Sequence, residues 1–248
     1  WGIELEVSKS PFSAYDLDGD GRAEVFCMAG PPDPRDADGH VEDGPHDVVV
    51  IDGLTGQVRC RAPWPSQDGF TPHRAWHNQL CVAYLDGKTP CLILARGIYN
   101  LQKVWAYQLR AGQLELLWNW NNLGAGKEYW GQGAHTIHAA DMDGDGRDEV
   151  VLGSSVLDDD GSPLWSTGLG HIDQCFVGDI DPLRPGLEMF YVAEEPKQKD
   201  GIGLVDAKRL NEVNVLPIFF VMGAMSIGTV AILLGVDKSI AGAIVPFL

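Results

Sequence analysis

Up to about Asp206 the chain is a succession of short apolar or alternating runs broken by turns rich in Gly, Asp and Pro. Val48-Val49-Val50-Ile51-Asp52 meets Gly53-Leu54-Thr55-Gly56 and returns through Gln57-Val58-Arg59-Cys60. Val104 to Gln108 turns at Ala111-Gly112 and returns from Leu114 to Trp118, and Ser154 to Leu157 turns at Asp158 to Gly161 and returns through Pro163-Leu164-Trp165. Runs of this kind, bounded by turn residues, predict strands joined in hairpins. Before about residue 210 no 3.6-residue period competes with them, so the expected class is all-β.

Ahead of two of these hairpins lies the same acidic loop. Asp16-Leu17-Asp18-Gly19-Asp20-Gly21-Arg22-Ala23-Glu24 runs into Val25-Phe26-Cys27-Met28, and Asp141-Met142-Asp143-Gly144-Asp145-Gly146-Arg147-Asp148-Glu149 runs into Val150-Val151-Leu152. Alternate residues of a short loop with glycines can aim their oxygens at one point, which suits calcium and its six to eight oxygen ligands. The expected ligands are Asp16, Asp18, Asp20, the Arg22 carbonyl and Glu24 in the first loop, and Asp141, Asp143, Asp145, the Arg147 carbonyl and Glu149 in the second. A glutamate at position 9, followed by a strand, excludes an EF-hand. The competing reading is two solvated acidic turns.

Weaker copies surround Asp86 and Asp181. Together the four suggest a unit of about 40 residues with variable insertions, the period of propeller blades. Loop, strand and hairpin then predict about four blades of a β-propeller within a larger ring, since open first and last blades would leave sheet edges unpaired. On this reading residues 1–210 are a partial propeller.

Residues 211–248 break the pattern. Val213 to Val236 holds 24 residues without a charge, long enough to span a bilayer as a helix. A membrane helix, a C-terminus foreign to the rest and a buried helix are the alternatives, and the first makes a membrane-anchored protein possible.

Charge narrows the partners. Asp plus Glu number 35 against 18 Lys plus Arg, a net charge of −17, which repels nucleic acid and anionic membrane surfaces. The cysteines, Cys27, Cys60, Cys81, Cys91 and Cys175, fit no zinc spacing and read as buried small hydrophobes. Weakly binding calcium loops suit an extracellular or periplasmic setting, and a monomer is expected.

From Val82 to Asp206 the strings AYLDGKTPCLILARGIY, GQGAHTIHAADMDGDGRDEV, LDDDGSPLWSTGLGH and GDIDPLRPGLE resemble the rhamnogalacturonan lyases of polysaccharide lyase family eleven, and the likeness reaches back loosely to the first acidic loop. The resemblance implies an eight-bladed, calcium-rich β-propeller that cleaves an acidic plant polysaccharide, the pectin backbone, by β-elimination. Such a reaction needs a cation for the galacturonate carboxylate, a base for the adjacent proton and help for the leaving oxygen. Arg96, in ARGIY, is the expected carboxylate partner, with Tyr99 nearby in sequence. His135 in GQGAHT and His171 in TGLGH are expected to bind sugar or move a proton, or else to brace a loop. Trp76, Trp120 and Trp130 are candidates for stacking on sugars, whereas Trp105, Trp118 and Trp165 fit strand packing. The alternative function is a non-catalytic calcium-binding propeller for carbohydrate or protein binding.

Overall fold

The computed structural model describes residues 2, 11–30, 46–194 and 202–206. Four antiparallel sheets follow one another along the chain. The first contains β1 (Phe12–Tyr15), β2 (Glu24–Ala29), β3 (Asp47–Asp52) and β4 (Val58–Pro63), and the second β5 (Asn78–Ala83), β6 (Cys91–Arg96), β7 (Lys103–Arg110) and β8 (Gln113–Asn121). The third contains β9 (Gly133–Ala140), β10 (Glu149–Gly153), β11 (Ser155–Leu157) and β12 (Pro163–Ser166), and the fourth β13 (Ile172–Gly178), β14 (Glu188–Ala193) and β15 (Ile202–Asp206). In every sheet the strands pair in chain order.

The inner strands β3, β6 and β10 carry the continuous apolar runs because both of their faces are covered. Val48, Val49, Val50, Leu92, Ile93, Leu94, Val150 and Val151 are all buried. The outer strand β4 alternates instead, with Cys60 and Ala62 buried between exposed or half-buried Val58, Arg59 and Arg61. Charges on such an edge discourage pairing with another chain. The predicted turns are in place. Asp52 Oδ1 accepts from Leu54 N at 3.1 Å and Thr55 N at 2.6 Å, and Ala111 and Gly112 take φ of 47° and 77° to close β7 onto β8.

Apolar clusters join each sheet to the next. Phe26, Met28, Val48 and Trp64 of the first meet Leu92, Leu94 and Tyr107 of the second. Ile93, Val104 and Trp120 meet Val150, Leu152 and Leu157, and Val151 and Val156 meet Cys175, Met189 and Tyr191.

The expectation of part of a β-propeller ring is therefore corrected. The described residues form four antiparallel sheets packed in series, with apolar clusters that join successive sheets and none that joins the first to the last. The repeated loop, strand and hairpin specify a sheet each, and a repeat does not by itself specify a ring. Among the described residues the helical elements are one turn at α1 (Pro72–Ala75) and a 3₁₀ turn at Lys127–Tyr129. No described helix is long and apolar enough to cross a membrane. The stretch 211–248, where the tail and a membrane span were expected, lies outside the described residues.

Candidate functional site

The two acidic loops each gather three carboxylates. Asp16, Asp18 and Glu24 offer oxygens within 4.8 Å of one another, and so do Asp141, Asp143 and Glu149. Backbone amides hold both sets. Asp16 Oδ1 accepts from Gly19 N at 2.8 Å and Oδ2 from Gly21 N at 2.8 Å, while Asp141 Oδ1 and Oδ2 accept from Gly144 N at 2.7 Å and Gly146 N at 3.1 Å. Asp20 and Asp145 stand outside the trios and accept instead from Arg22 N at 2.8 Å and Arg147 N at 2.9 Å. The Arg147 side chain reaches Asp159 Oδ2 at 2.8 Å and Asp145 Oδ2 at 3.7 Å.

The buried glutamates distinguish the loops. Glu24 Oε2 accepts from Leu17 N at 2.9 Å, and its Oε1 meets Arg59 Nη1. Arg59 Nη2 also reaches Asp18 Oδ2 at 2.7 Å, so a guanidinium spans two of the three carboxylates. Glu149 Oε2 accepts from Met142 N at 2.5 Å and Asp143 N at 3.2 Å, but its Oε1 is buried with no hydrogen-bond partner. Burial, the amide bonds notwithstanding, raises this carboxyl to a pKa of about 7. A buried, unpartnered carboxylate oxygen beside two aspartates is the donor set a hard cation requires, and calcium fits it.

A second group forms at the opposite end of β9. His135, near the start of β9, His171, just before β13, and Glu194, just after β14, offer donor atoms within 4.8 Å of one another. Register accounts for one of these meetings: Ile172 pairs with Ala193, which sets His171 opposite Glu194. His171 Nδ1 lies 2.8 Å from the Gly133 carbonyl, an acceptor only, so Nδ1 carries the proton. Nε2, 2.8 Å from Glu194 Oε2, then presents a lone pair to a carboxylate when the ring is neutral. Burial lowers the His171 pKa, more than Glu194 raises it, and favours that neutral ring.

Tyr99 stands against this group. Its hydroxyl is 3.4 Å from His135 Nε2, and its ring lies 4.3 Å from the His171 ring and 5.1 Å from that of His77. The loop that carries Tyr99 depends on Gly97, at φ 84°, where a Cβ would collide with the Leu101 carbonyl and the Phe70 ring. Gly133 serves the same end, since a Cβ there would come within 2.5 Å of the Ile98 carbonyl.

Arg96 is not part of the group. It is 1% exposed, and its guanidinium bonds Pro65 O at 2.6 Å, the Ala75 carbonyl, and His46 Nδ1 at 2.8 Å. The expectation that it meets a substrate carboxylate is corrected to a bracing role beneath the site. Burial lowers its pKa to about 10, which leaves it charged at neutral pH, and burial followed by the Arg96 charge lowers His46 to about 4. Sequence reasoning missed His77, Glu194 and Arg74. Arg74 sets its guanidinium 3.8 Å from the Tyr99 ring centroid. Only register and loop closure, neither legible in residue types, bring these three to Tyr99 and the histidines.

With this geometry in view, comparison with known proteins is decisive. A family model described as "Rhamnogalacturonan lyase family 11, C-terminal domain" matches residues 6–218. The chain belongs to this family. Among curated proteins it is 38% identical over 227 residues to rhamnogalacturonan endolyase YesW and 37% identical over 228 residues to rhamnogalacturonan exolyase YesX, both of Bacillus subtilis, covering 83% of this chain in each case. Those matches span 37% of each relative's length, so the family 11 chain described here corresponds to a little over a third of either. The crystal structure of YesW superposes with a TM-score of 0.75 at 38% identity, over 80% of this chain and 38% of that one. The Bacillus licheniformis rhamnogalacturonan lyase PL11 superposes at 0.76 with 36% identity, over 81% and 38%.

Proposed function

We propose that this family 11 chain contributes a galacturonate-handling part of a rhamnogalacturonan lyase that cleaves the pectin backbone by β-elimination outside the cell or in the periplasm. The observation that carries the reading is the convergence of His135, His171 and Glu194 on one point beside the Tyr99 hydroxyl. A divalent cation bound there would neutralise a galacturonate carboxylate and so acidify the proton on the neighbouring carbon. Calcium is the expected ion at the two acidic loops, which serve structure. Two imidazoles are less usual donors for calcium and are shared by several transition metals.

Elimination moves the C5 proton to a base, places its electron pair in a C4–C5 double bond and breaks the C4–O bond, with the leaving oxygen taking a proton. Tyr99, whose hydroxyl lies 3.4 Å from His135 Nε2 beside the cation donors, would supply the proton that the leaving oxygen takes. Gly133 O fixes the His171 tautomer and keeps Nε2 facing Glu194.

Calorimetric titration of the chain with calcium, manganese and zinc tests the cation site, and ultraviolet absorbance of unsaturated uronate released from rhamnogalacturonan tests the chemistry. His135→Ala and His171→Ala are each expected to remove one binding event and leave those of the acidic loops. Identical stoichiometry in wild type and both variants sinks the proposal.

A further inference from the structure

Beside Tyr99, away from the acidic loops, a pocket of about 170 Å³ opens between the Gly69–Arg74 segment, the loop after β6 and Trp130. Its volume is of the order of a single sugar ring, not of an extended chain. Three aromatic residues, Phe70, Tyr99 and Trp130, border it together with one cation, Arg74. Trp130 is 44% exposed, although Gly131 N, at 3.4 Å from Asn100 O, ties its segment to the same loop. An exposed tryptophan whose backbone is anchored offers a fixed stacking face.

Arg74 is unusual in so acidic a chain. Among the described residues it makes no ion pair, although the net charge is −17. Its guanidinium lies over the Tyr99 ring at 3.8 Å, an arrangement that fixes the plane while leaving N–H groups at its edge to donate. A planar fork of donors held in place matches a carboxylate in two hydrogen bonds. Aromatic walls match the C–H face of a pyranose. Neutral sugars would leave the guanidinium unmatched, and phosphate would leave the walls unmatched.

We propose that this pocket is a subsite for one uronate residue, with Trp130 under the sugar ring and Arg74 on its carboxylate. The proposal rests on the reading of the chain as part of a lyase for an acidic polysaccharide, and adds a recognition point separate from the cation donors. Tyr99 borders both, so a uronate in the pocket lies on the same strand of substrate as the residue held at His135, His171 and Glu194. Arg96 supports the subsite from below, because its bonds to Pro65 O and the Ala75 carbonyl fix the backbone on either side of Phe70 and Arg74.

The test is binding to the intact chain in a chelator, which silences the cation site. Rhamnogalacturonan oligosaccharides, the same oligosaccharides with their carboxyl groups reduced to alcohols, and oligogalacturonates are titrated while tryptophan fluorescence and heat are followed. Arg74→Ala should weaken the acidic ligands by about tenfold, the loss of one charge-assisted bidentate contact. Arg74→Lys should recover part of that, Trp130→Ala should weaken acidic and reduced ligands alike, and the reduced ligand should bind wild type and Arg74→Ala equally. Melting curves of each variant separate lost binding from lost fold, and the lysine variant keeps the test valid should the alanine variant melt early. Rhamnogalacturonan oligosaccharides bound equally by wild type and both Arg74 variants would overturn the subsite and leave the lyase reading standing. Oligogalacturonates bound through Arg74, with rhamnogalacturonan oligosaccharides ignored, would uphold the subsite and remove the lyase reading. No binding of any uronide by wild type would overturn the subsite outright.

Discussion

At the C-terminal end of β9, Asp141, Asp143 and Glu149 come from one unbroken stretch of chain and are wrapped by that stretch's own amides. At the N-terminal end, His135 meets His171, Glu194 and Tyr99, which arrive from three other strand ends. The first arrangement stores its cost within the fold, as a buried carboxylate oxygen with no partner. The second is held by half-buried rings and by His171, which bonds the Gly133 carbonyl and faces Glu194. On the function proposed above, one end serves stability and the other binding. Substitutions should separate the two.

The largest effect is expected at Glu149. Its Oε2 accepts from two amides, Met142 N and Asp143 N, so Glu149→Ala leaves both without a partner in a site that is 0% exposed. A destabilisation of about 3 kcal/mol should appear in urea unfolding with calcium present. Glu149→Gln keeps the amide contacts through its carbonyl and should cost much less in chelator, while abolishing the stabilisation that calcium gives wild type at this loop. Equal stabilisation of Glu149→Gln and wild type by calcium would show that this loop holds no ion.

A second effect, of about 2 kcal/mol, should come from the support beneath the histidine end. His46 is buried against Arg96, and burial and that charge together lower its pKa from 6.5 to about 4. The unfolded chain therefore binds the proton more readily than the folded one, and stability falls as pH drops from about 6.5 through about 4. Nδ1 accepts from Arg96 Nη2 at 2.8 Å, and protonation there would set two cations against each other. His46→Asn keeps an acceptor without the titration, so its stability should be flatter over the same window than that of wild type. Parallel pH profiles for the two would locate the acid sensitivity elsewhere.

The same contrast governs what the sequence discloses. Acidic loops are contiguous, so carboxylates at alternate positions with intervening glycines announce the clusters of Asp16, Asp18 and Glu24 and of Asp141, Asp143 and Glu149 directly. Hairpins are legible for the same reason, since Asp52 and the Ala111-Gly112 pair act over two or three residues. Arg96 misleads because its neighbours in sequence are site residues while its side chain points into the fold, to carbonyls 21 and 31 residues away. Glu194 is invisible because its place opposite His171 depends on strand register. The ring was inferred from a repeat, but repeats fix only what happens within each unit and between successive ones.

The smallest effect sharpens the comparison inside the acidic end itself. Arg59 bridges Asp18 and Glu24 in the first loop, whereas Arg147, within the second, pairs with Asp159 at 2.8 Å and with Asp145 at 3.7 Å but with none of Asp141, Asp143 and Glu149. The first loop's three clustered carboxylates thus carry a counter-cation, and Asp141, Asp143 and Glu149 do not. Arg59 is 28% exposed on its side chain, so the bridge is part-screened, and Arg59→Met should cost only about 1 kcal/mol in chelator. With calcium the sign should reverse. Once the guanidinium no longer competes for Asp18 and Glu24, the first loop should bind calcium more tightly, and the variant should gain more stability from the ion than wild type does. Calorimetry on Arg59→Met in a Glu149→Gln background, where the second loop is silent, isolates that binding event. A weaker calcium affinity in the double variant than in Glu149→Gln alone would mean that Arg59 assists the ion, and that the two loops differ in geometry and not in who supplies the positive charge.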